Sequence, residues 1–166
     1  MPMTLEGSCR CRAVRFTVQS HTPQPYQRCY CSICRKTAGG GGYAINLGAD
    51  ARTLKIDDPD KTIRVFRAEI RDEDGGPCEL STAERNFCSR CATALWLFSP
   101  EWPDLTHPFA SAIDSELPAP PSRVHLMLKY KPTWVVLNLG AGDATFDLYP
   151  EESLEDWHKS RGLWVA

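Results

Sequence analysis

Cys29-Tyr30-Cys31-Ser32-Ile33-Cys34 places three thiols within six residues, and the remainder of the chain reads outward from it. Thiolate is the preferred soft ligand of zinc, and a C-x-C-x-x-C run can wrap three sulfurs around one ion. The run contains no fourth cysteine. Structural zinc takes four protein ligands, whereas catalytic zinc takes three and keeps one position open. Arg35 and Lys36 follow directly, with charge suited to offset a tris-thiolate zinc or to recognise a substrate carboxylate. Next comes Gly39-Gly40-Gly41-Gly42, where backbone can approach a ligand with no Cβ in the way. The stretch predicts a zinc ion with one free face at the mouth of a pocket.

Four more cysteines flank it at short spacing: Cys9 and Cys11 near the start, Cys88 and Cys91 beyond the middle. Cys78 stands alone, for eight in all. The compartment decides how to read them. The N-terminus, Met1-Pro2-Met3-Thr4-Leu5-Glu6, lacks the positive start and apolar stretch of a secretory signal, so a cytoplasmic chain is expected. Reducing conditions disfavour a disulfide framework and favour metal ligation by paired cysteines. Cys78 reads as an ordinary free thiol, since the acids around it oppose a lowered pKa.

With 166 residues the chain is read as a single domain, residues 1–166, large enough to bury its own core. A net charge of −2, from 19 basic and 21 acidic residues, leaves no basic footprint for nucleic acid. No apolar run is long enough to span a bilayer.

Val14, Phe16 and Val18 alternate with polar neighbours, as in a half-buried strand leaving the first cysteine pair. Residues 19–27, with Pro23 and Pro25, read as a loop in which His21 is solvated. Strands are expected around Tyr43–Leu47, Ile63–Phe66, Leu95–Phe98, Phe109–Ile113, His125–Leu128 and Trp134–Leu137. An exposed hairpin or long loop is expected over 68–86, and irregular chain over 99–108, where Pro100, Pro103 and Pro108 fall. A single helix is predicted from about Glu151 to Arg161, with acids at its start, bases at its end and Gly162 as C-cap. The tally is mainly β with one short C-terminal helix.

Seven clustered thiols divide as four plus three. Cys9, Cys11, Cys88 and Cys91 form two pairs, each beside a strand, that could clamp a structural zinc. Cys29, Cys31 and Cys34 would hold a second zinc with one open position. Grouping Cys9, Cys11, Cys29 and Cys31 instead splits a compact triplet. His125 and Tyr30 are rival fourth ligands, and His125, on an alternating apolar segment, reads better as a satisfied core or rim residue.

The chain resembles the glutathione-dependent formaldehyde-activating enzyme family. The resemblance rests on Gly7-Ser8-Cys9-Arg10-Cys11, on Cys29 to Lys36 with the glycines after it, and on Phe87-Cys88-Ser89-Arg90-Cys91-Ala92-Thr93-Ala94-Leu95. It extends through His125 and Trp134. It implies a β-tent, small antiparallel sheets pinned by a tetrathiolate zinc at Cys9, Cys11, Cys88 and Cys91, with a catalytic zinc at Cys29, Cys31 and Cys34. It also implies formation of S-(hydroxymethyl)glutathione from glutathione and formaldehyde, in reverse a carbon–sulfur lyase. Two positions depart from the family pattern: Ala92 stands where glycine is usual, and Tyr30 where histidine is common.

The chemistry expected is therefore attack of a zinc-held thiol, with glutathione as co-substrate, on a small carbonyl. Three thiolates weaken the Lewis acidity of the site, which suits a soft thiol better than hydrolytic water. The alternative is a zinc-stabilised scaffold with no catalysis, which needs a fourth protein ligand from Cys78, His125 or another chain.

Overall fold

Strict alternation builds the first strand pair. β1 (Met3–Ser8) and β2 (Arg15–Ser20) run antiparallel, from Met3 opposite Ser20 to Ser8 opposite Arg15. Leu5, Phe16 and Val18 are buried on one side while Thr4, Glu6 and Arg15 face solvent. The computed structural model describes residues 2–70 and 76–164.

The chain continues through β3 (Tyr26–Cys29), helix α1 (Ser32–Thr37), β4 (Ala44–Asn46), β5 (Ala49–Asp50) and β6 (Lys55–Asp57). Then come β7 (Ile63–Phe66), β8 (Glu69–Ile70), β9 (Glu79–Leu80), β10 (Glu84–Cys88) and β11 (Ala94–Phe98). The last elements are β12 (Leu105–Pro108), β13 (Arg123–Leu126), β14 (Ala144–Thr145) and helix α2 (Leu154–Ser160). Among the described residues these strands form sheets in the orders β1-β2-β6, β5-β12-β11-β10-β7 and β14-β13-β3-β4, with β8-β9 as a separate ribbon. Pairing is antiparallel except at β13, which runs parallel to both β3 and β14. The architecture is the expected one: mainly β, in small sheets, with a short C-terminal helix.

Two apolar clusters meet at β11. Leu95 and Trp96 pack with Leu5, Val14, Phe16, Cys9 and Cys88. Leu97 packs with Phe109, Val124, Leu126, Cys29 and Cys34. Each cysteine group thus sits on its own core, and one strand joins the two. Burial of side chains of this size stabilises by roughly 1.5–3 kcal/mol each, which anchors both groups firmly.

Several segments correct the sequence expectations. Residues 99–108 are not all irregular: Leu105–Pro108 is a strand between β11 and β5. Pro108 ends it, and its carbonyl accepts the Leu47 N–H at 2.9 Å, a contact that needs no N–H from proline. Phe109–Ile113 is not a strand but a 3-10 turn over Ala110–Ala112, closed by the Ala112 N–H to the Phe109 carbonyl and tied to β11 by the Phe109 N–H to the Leu95 carbonyl. The 134–137 segment is a loop in which Trp134 and Val136 are exposed. Trp134 and Val135 cover Gly42, whose φ of +94° and lack of Cβ permit that approach. The C-terminal helix begins at Leu154, not Glu151, because Ser153 caps it by accepting the Asp156 N–H at 3.0 Å. Gly162, φ +62°, closes it as expected: its N–H bonds the Lys159 carbonyl and that of Leu163 the His158 carbonyl. For the hairpin expected over 68–86, β8 and β9 pair with Ile70 opposite Glu79, and residues 71–75 lie outside the described residues.

His21 is buried rather than solvated, stacked on Trp164 at 4.1 Å and 5.9 Å from the ring of His158. His158 bonds the Gln24 carbonyl through Nε2 at 2.6 Å and is itself buried. Desolvation lowers the pKa of both histidines, against the opposing pull of Asp50 on His21 and of the Gln24 carbonyl on His158. The sign of the linkage follows. The unfolded chain takes up protons near pH 6.5 that the fold refuses, so this stability is complete above that pH and is lost as pH falls below it. The urea midpoint is expected to drop between pH 7.5 and 5.5, with α2 releasing first; a flat profile contradicts the docking described.

Candidate metal centres

The fold brings the outer cysteine pairs together. Cys9, Cys11, Cys88 and Cys91 have their Sγ atoms within 4.8 Å of one another, although Cys11 and Cys88 are 77 positions apart. Cys9 Sγ lies 3.5 Å from Cys11 Sγ, and Cys11 Sγ lies 3.8 Å from Cys88 Sγ. A disulfide needs about 2.05 Å, so none joins them. Tetrahedral zinc with 2.3 Å bonds sets sulfurs about 3.8 Å apart, and the group fits that ion.

Two matching knuckles present these sulfurs. In the first, the Cys9 N–H bonds the Val14 carbonyl and the Arg12 N–H returns to the Cys9 carbonyl. In the second, the Cys88 N–H bonds the Thr93 carbonyl and the Ala92 N–H returns to the Cys88 carbonyl. Thr93 ties the two together: its hydroxyl accepts the Arg10 N–H at 3.0 Å and meets Cys91 Sγ at 3.2 Å. Against desolvation, bonds from Thr93 and Cys11 bring the Cys91 thiol down to about 6. Cys11 is held up at about 11, the Ala13 N–H lowering it and the neighbouring Cys9 raising it.

Both knuckles turn on a non-glycine residue at positive φ, Arg12 at +61° and Ala92 at +59°. That conformation costs a side-chain-bearing residue roughly 1–2 kcal/mol. Glycine returns part of that gain through the greater entropy of its unfolded state, about 0.5–1 kcal/mol. Ala92→Gly is therefore expected to stabilise the protein by about 0.5–1 kcal/mol, read as a higher urea midpoint at unchanged slope. A lower midpoint would contradict the strain.

The central triplet forms the second group. Cys29, Cys31 and Cys34 bring their Sγ atoms within 4.8 Å of one another. Cys29 ends β3, and α1, a helix absent from the sequence reading, starts directly after Cys31. Cys31 is its N-cap, its sulfur accepting the Cys34 N–H at 3.3 Å, so one turn of helix folds Cys34 back beside Cys31. Hydrogen bonds from Cys29 and Cys34 pull the Cys31 thiol down to about 2, while Cys29 and Cys34 are pushed up. The clustered sulfurs thus lie in one group of four and one of three.

Neither rival fourth ligand joins the triplet. The Tyr30 hydroxyl pairs with His125 Nδ1 at 2.9 Å, and His125 Nε2 pairs with Asp143 at 3.1 Å, so both ring nitrogens are engaged. Asp143 accepts the backbone N–H groups of Arg123 and Gly140 as well. Despite desolvation, those bonds hold its carboxyl at about 2, and the carboxylate fixes the imidazole. Cys78 is exposed and belongs to neither group.

Arg35 and Lys36 sit in the last turn of α1. They line a cleft of about 380 Å³ with Gly39, Gly40, Ala92 and Thr93, so the cleft runs from the helix to the second knuckle. Of the glycine run, Gly39 and Gly40 line the cleft and Gly41 does not, and the three differ in the space around them. A Cβ on Gly39 would stand 2.1 Å from the Tyr43 carbonyl oxygen, whereas Gly40 and Gly41 face free space. A larger hollow of about 650 Å³ lies on the β1–β2–β6 sheet, lined by Glu6, Arg15, Lys55 and Asp114 among others. Neither it nor the cleft is lined by a cysteine, so the triplet does not sit at the mouth of either, contrary to the sequence expectation.

Two residues at the triplet escape sequence reasoning. Arg85, on β10, is buried and places Nη2 3.9 Å from Cys34 Sγ. Tyr149 is exposed, yet desolvation and then the charges of Cys29, Cys31 and Cys34 push its hydroxyl up to about 12. Phe146, three residues before it, packs on the core that holds Cys29 and Cys34. No spacing pattern links 85 or 149 to the cysteines; only the folded sheet does.

No helix among the described residues is long and apolar enough to cross a membrane. The chain is 21% identical to a Rhodobacter sphaeroides protein of known crystal structure, with a TM-score of 0.50 over 70% of this chain and 92% of that one, a likeness of fold. It is 59% identical to a protein of Halomonas elongata provisionally named as a glutathione-dependent formaldehyde-activating enzyme, over 97% of this chain and 98% of that one. The model of that enzyme family matches residues 4–129, which include all seven clustered cysteines. With its paired knuckles and its separate triplet, the chain belongs to the glutathione-dependent formaldehyde-activating enzyme family.

Proposed function

We propose that residues 1–166 act as one unit that adds the thiol of glutathione to formaldehyde and catalyses the reverse carbon–sulfur cleavage. Zinc at Cys29, Cys31 and Cys34 is the catalytic ion, and zinc at Cys9, Cys11, Cys88 and Cys91 is structural. The supporting observation is the contrast between the two groups: four sulfurs converge at one and three at the other. Zinc at the triplet would hold a substrate thiol as its thiolate at neutral pH, ready for a carbonyl carbon. In the net reaction a sulfur–carbon bond forms, the carbonyl π bond breaks and the thiol proton ends on the hydroxyl oxygen.

The chain's own residues supply the rest. Arg35 and Lys36 give a cleft of small-molecule size two cations for the carboxylates of glutathione. The Tyr30–His125–Asp143 chain ties the ligand-bearing strand β3 to β13 and keeps His125 out of the triplet. A purely structural central site would need a fourth ligand that neither His125 nor Cys78 provides. Unpaired thiols suit a reducing cytoplasm.

The test follows exchange between ¹³C-formaldehyde and its glutathione adduct by NMR. Zinc-loaded protein is expected to accelerate exchange well above the spontaneous rate. Exchange at the spontaneous rate, with two zinc ions bound per chain, overturns the reading.

A further inference from the structure

Arg85 is 7% exposed, and its Nε and Nη1 have no hydrogen-bond partner among the described residues. Glu84 beside it is already paired with Arg67. A buried guanidinium without a counter-charge is strongly unfavourable, so the fold must place negative charge against it. Among the described residues its side chain makes one hydrogen bond, from Nη2 to Cys34 Sγ, 3.9 Å away. The register holds it there: Arg85 lies opposite Leu97 on β11 and Phe66 on β7, inside the second sheet.

Three thiolates around a divalent cation carry a net charge of −1. Arg85 would cancel it. A fourth ligand that arrives as an anion would then leave the surroundings at −1 rather than −2, while a neutral ligand gains nothing from the guanidinium. We infer that Arg85 is the counter-charge of the Cys29–Cys31–Cys34 centre and acts as a positioning residue that favours an anionic thiolate over a neutral ligand at its open position. The inference deepens the catalytic reading above and rests on a metal at the triplet. It also separates two kinds of cation: Arg35 and Lys36 line the cleft, whereas Arg85 is buried against Cys34.

The test uses the full chain loaded with cobalt(II), whose visible spectrum reports ligand exchange at a thiolate site. The protein is titrated with 2-mercaptoethanol, which binds as an anion, and with imidazole, which binds neutral. Arg85→Gln is expected to weaken the thiol by about 10-fold, the low end of the range for groups that support metal ligands, and imidazole by less than about 2-fold. Arg85→Lys, which keeps the charge, is expected to restore most of the thiol affinity. Equal weakening of both ligands, or none, overturns the inference while leaving cobalt at the triplet. If the wild type takes no cobalt at Cys29, Cys31 and Cys34, the catalytic reading fails and the inference with it. Should Arg85→Gln not fold, Arg85→Lys decides: a thiol-to-imidazole preference near wild type supports the charge role, and a lost preference overturns it.

Discussion

Cys31→Ser is expected to abolish exchange between formaldehyde and its glutathione adduct, by at least about 100-fold, while the protein stays folded. Loss of groups that merely support a metal ligand costs about 10–100-fold, so loss of a ligand sulfur should cost more. Cys31 also caps α1, but serine is itself a good N-cap and can accept the Cys34 N–H in place of the sulfur. Its side chain is only partly buried where it packs against the apolar core around Cys29 and Cys34, and serine is close to it in size. Far-ultraviolet circular dichroism and the urea midpoint should therefore remain close to wild type, and one of two zinc ions should be lost. Retained exchange activity, or collapse of the fold, would contradict the assignment.

Cys88→Ser is expected to do the opposite and leave little folded protein. Cys88 is fully buried in the first core and lies 3.8 Å from Cys11, so it joins β10 to the N-terminal knuckle. Structural zinc contributes on the order of 10–16 kcal/mol in small zinc peptides, comparable with the about 5–15 kcal/mol that separates a folded domain from its unfolded state. Removing one of four sulfurs forfeits a large part of that and buries a hydroxyl among apolar side chains. Insoluble or unfolded protein by circular dichroism is the expected outcome; a soluble variant with normal secondary structure would show that the site is not structural.

The two cysteine groups illustrate what the sequence reveals and what it conceals. Thiol spacing is local, so the pairs and the triplet are visible in the chain, and the choice of four plus three follows from keeping the triplet whole. The strand from Val14 to Val18 and the C-cap at Gly162 are likewise written in local patterns. α1 was hidden because its six residues are too few for a periodic apolar face, and its cap is a sulfur rather than an oxygen. Val135 and Trp134 have strand-like composition, but they serve as a cover over Gly42. Arg85 is the sharpest case. Next to Glu84 it reads as surface charge, and only the pairing of β10 with β11 and β7 carries it inward to Cys34.

The most direct test of two separate centres is native mass spectrometry of wild-type protein purified without added metal, repeated after mild chelation. Two zinc ions per chain are predicted, one of which leaves first while circular dichroism is unchanged. A single zinc in the untreated protein, or two that leave only together as the fold is lost, would contradict an open centre at Cys29, Cys31 and Cys34.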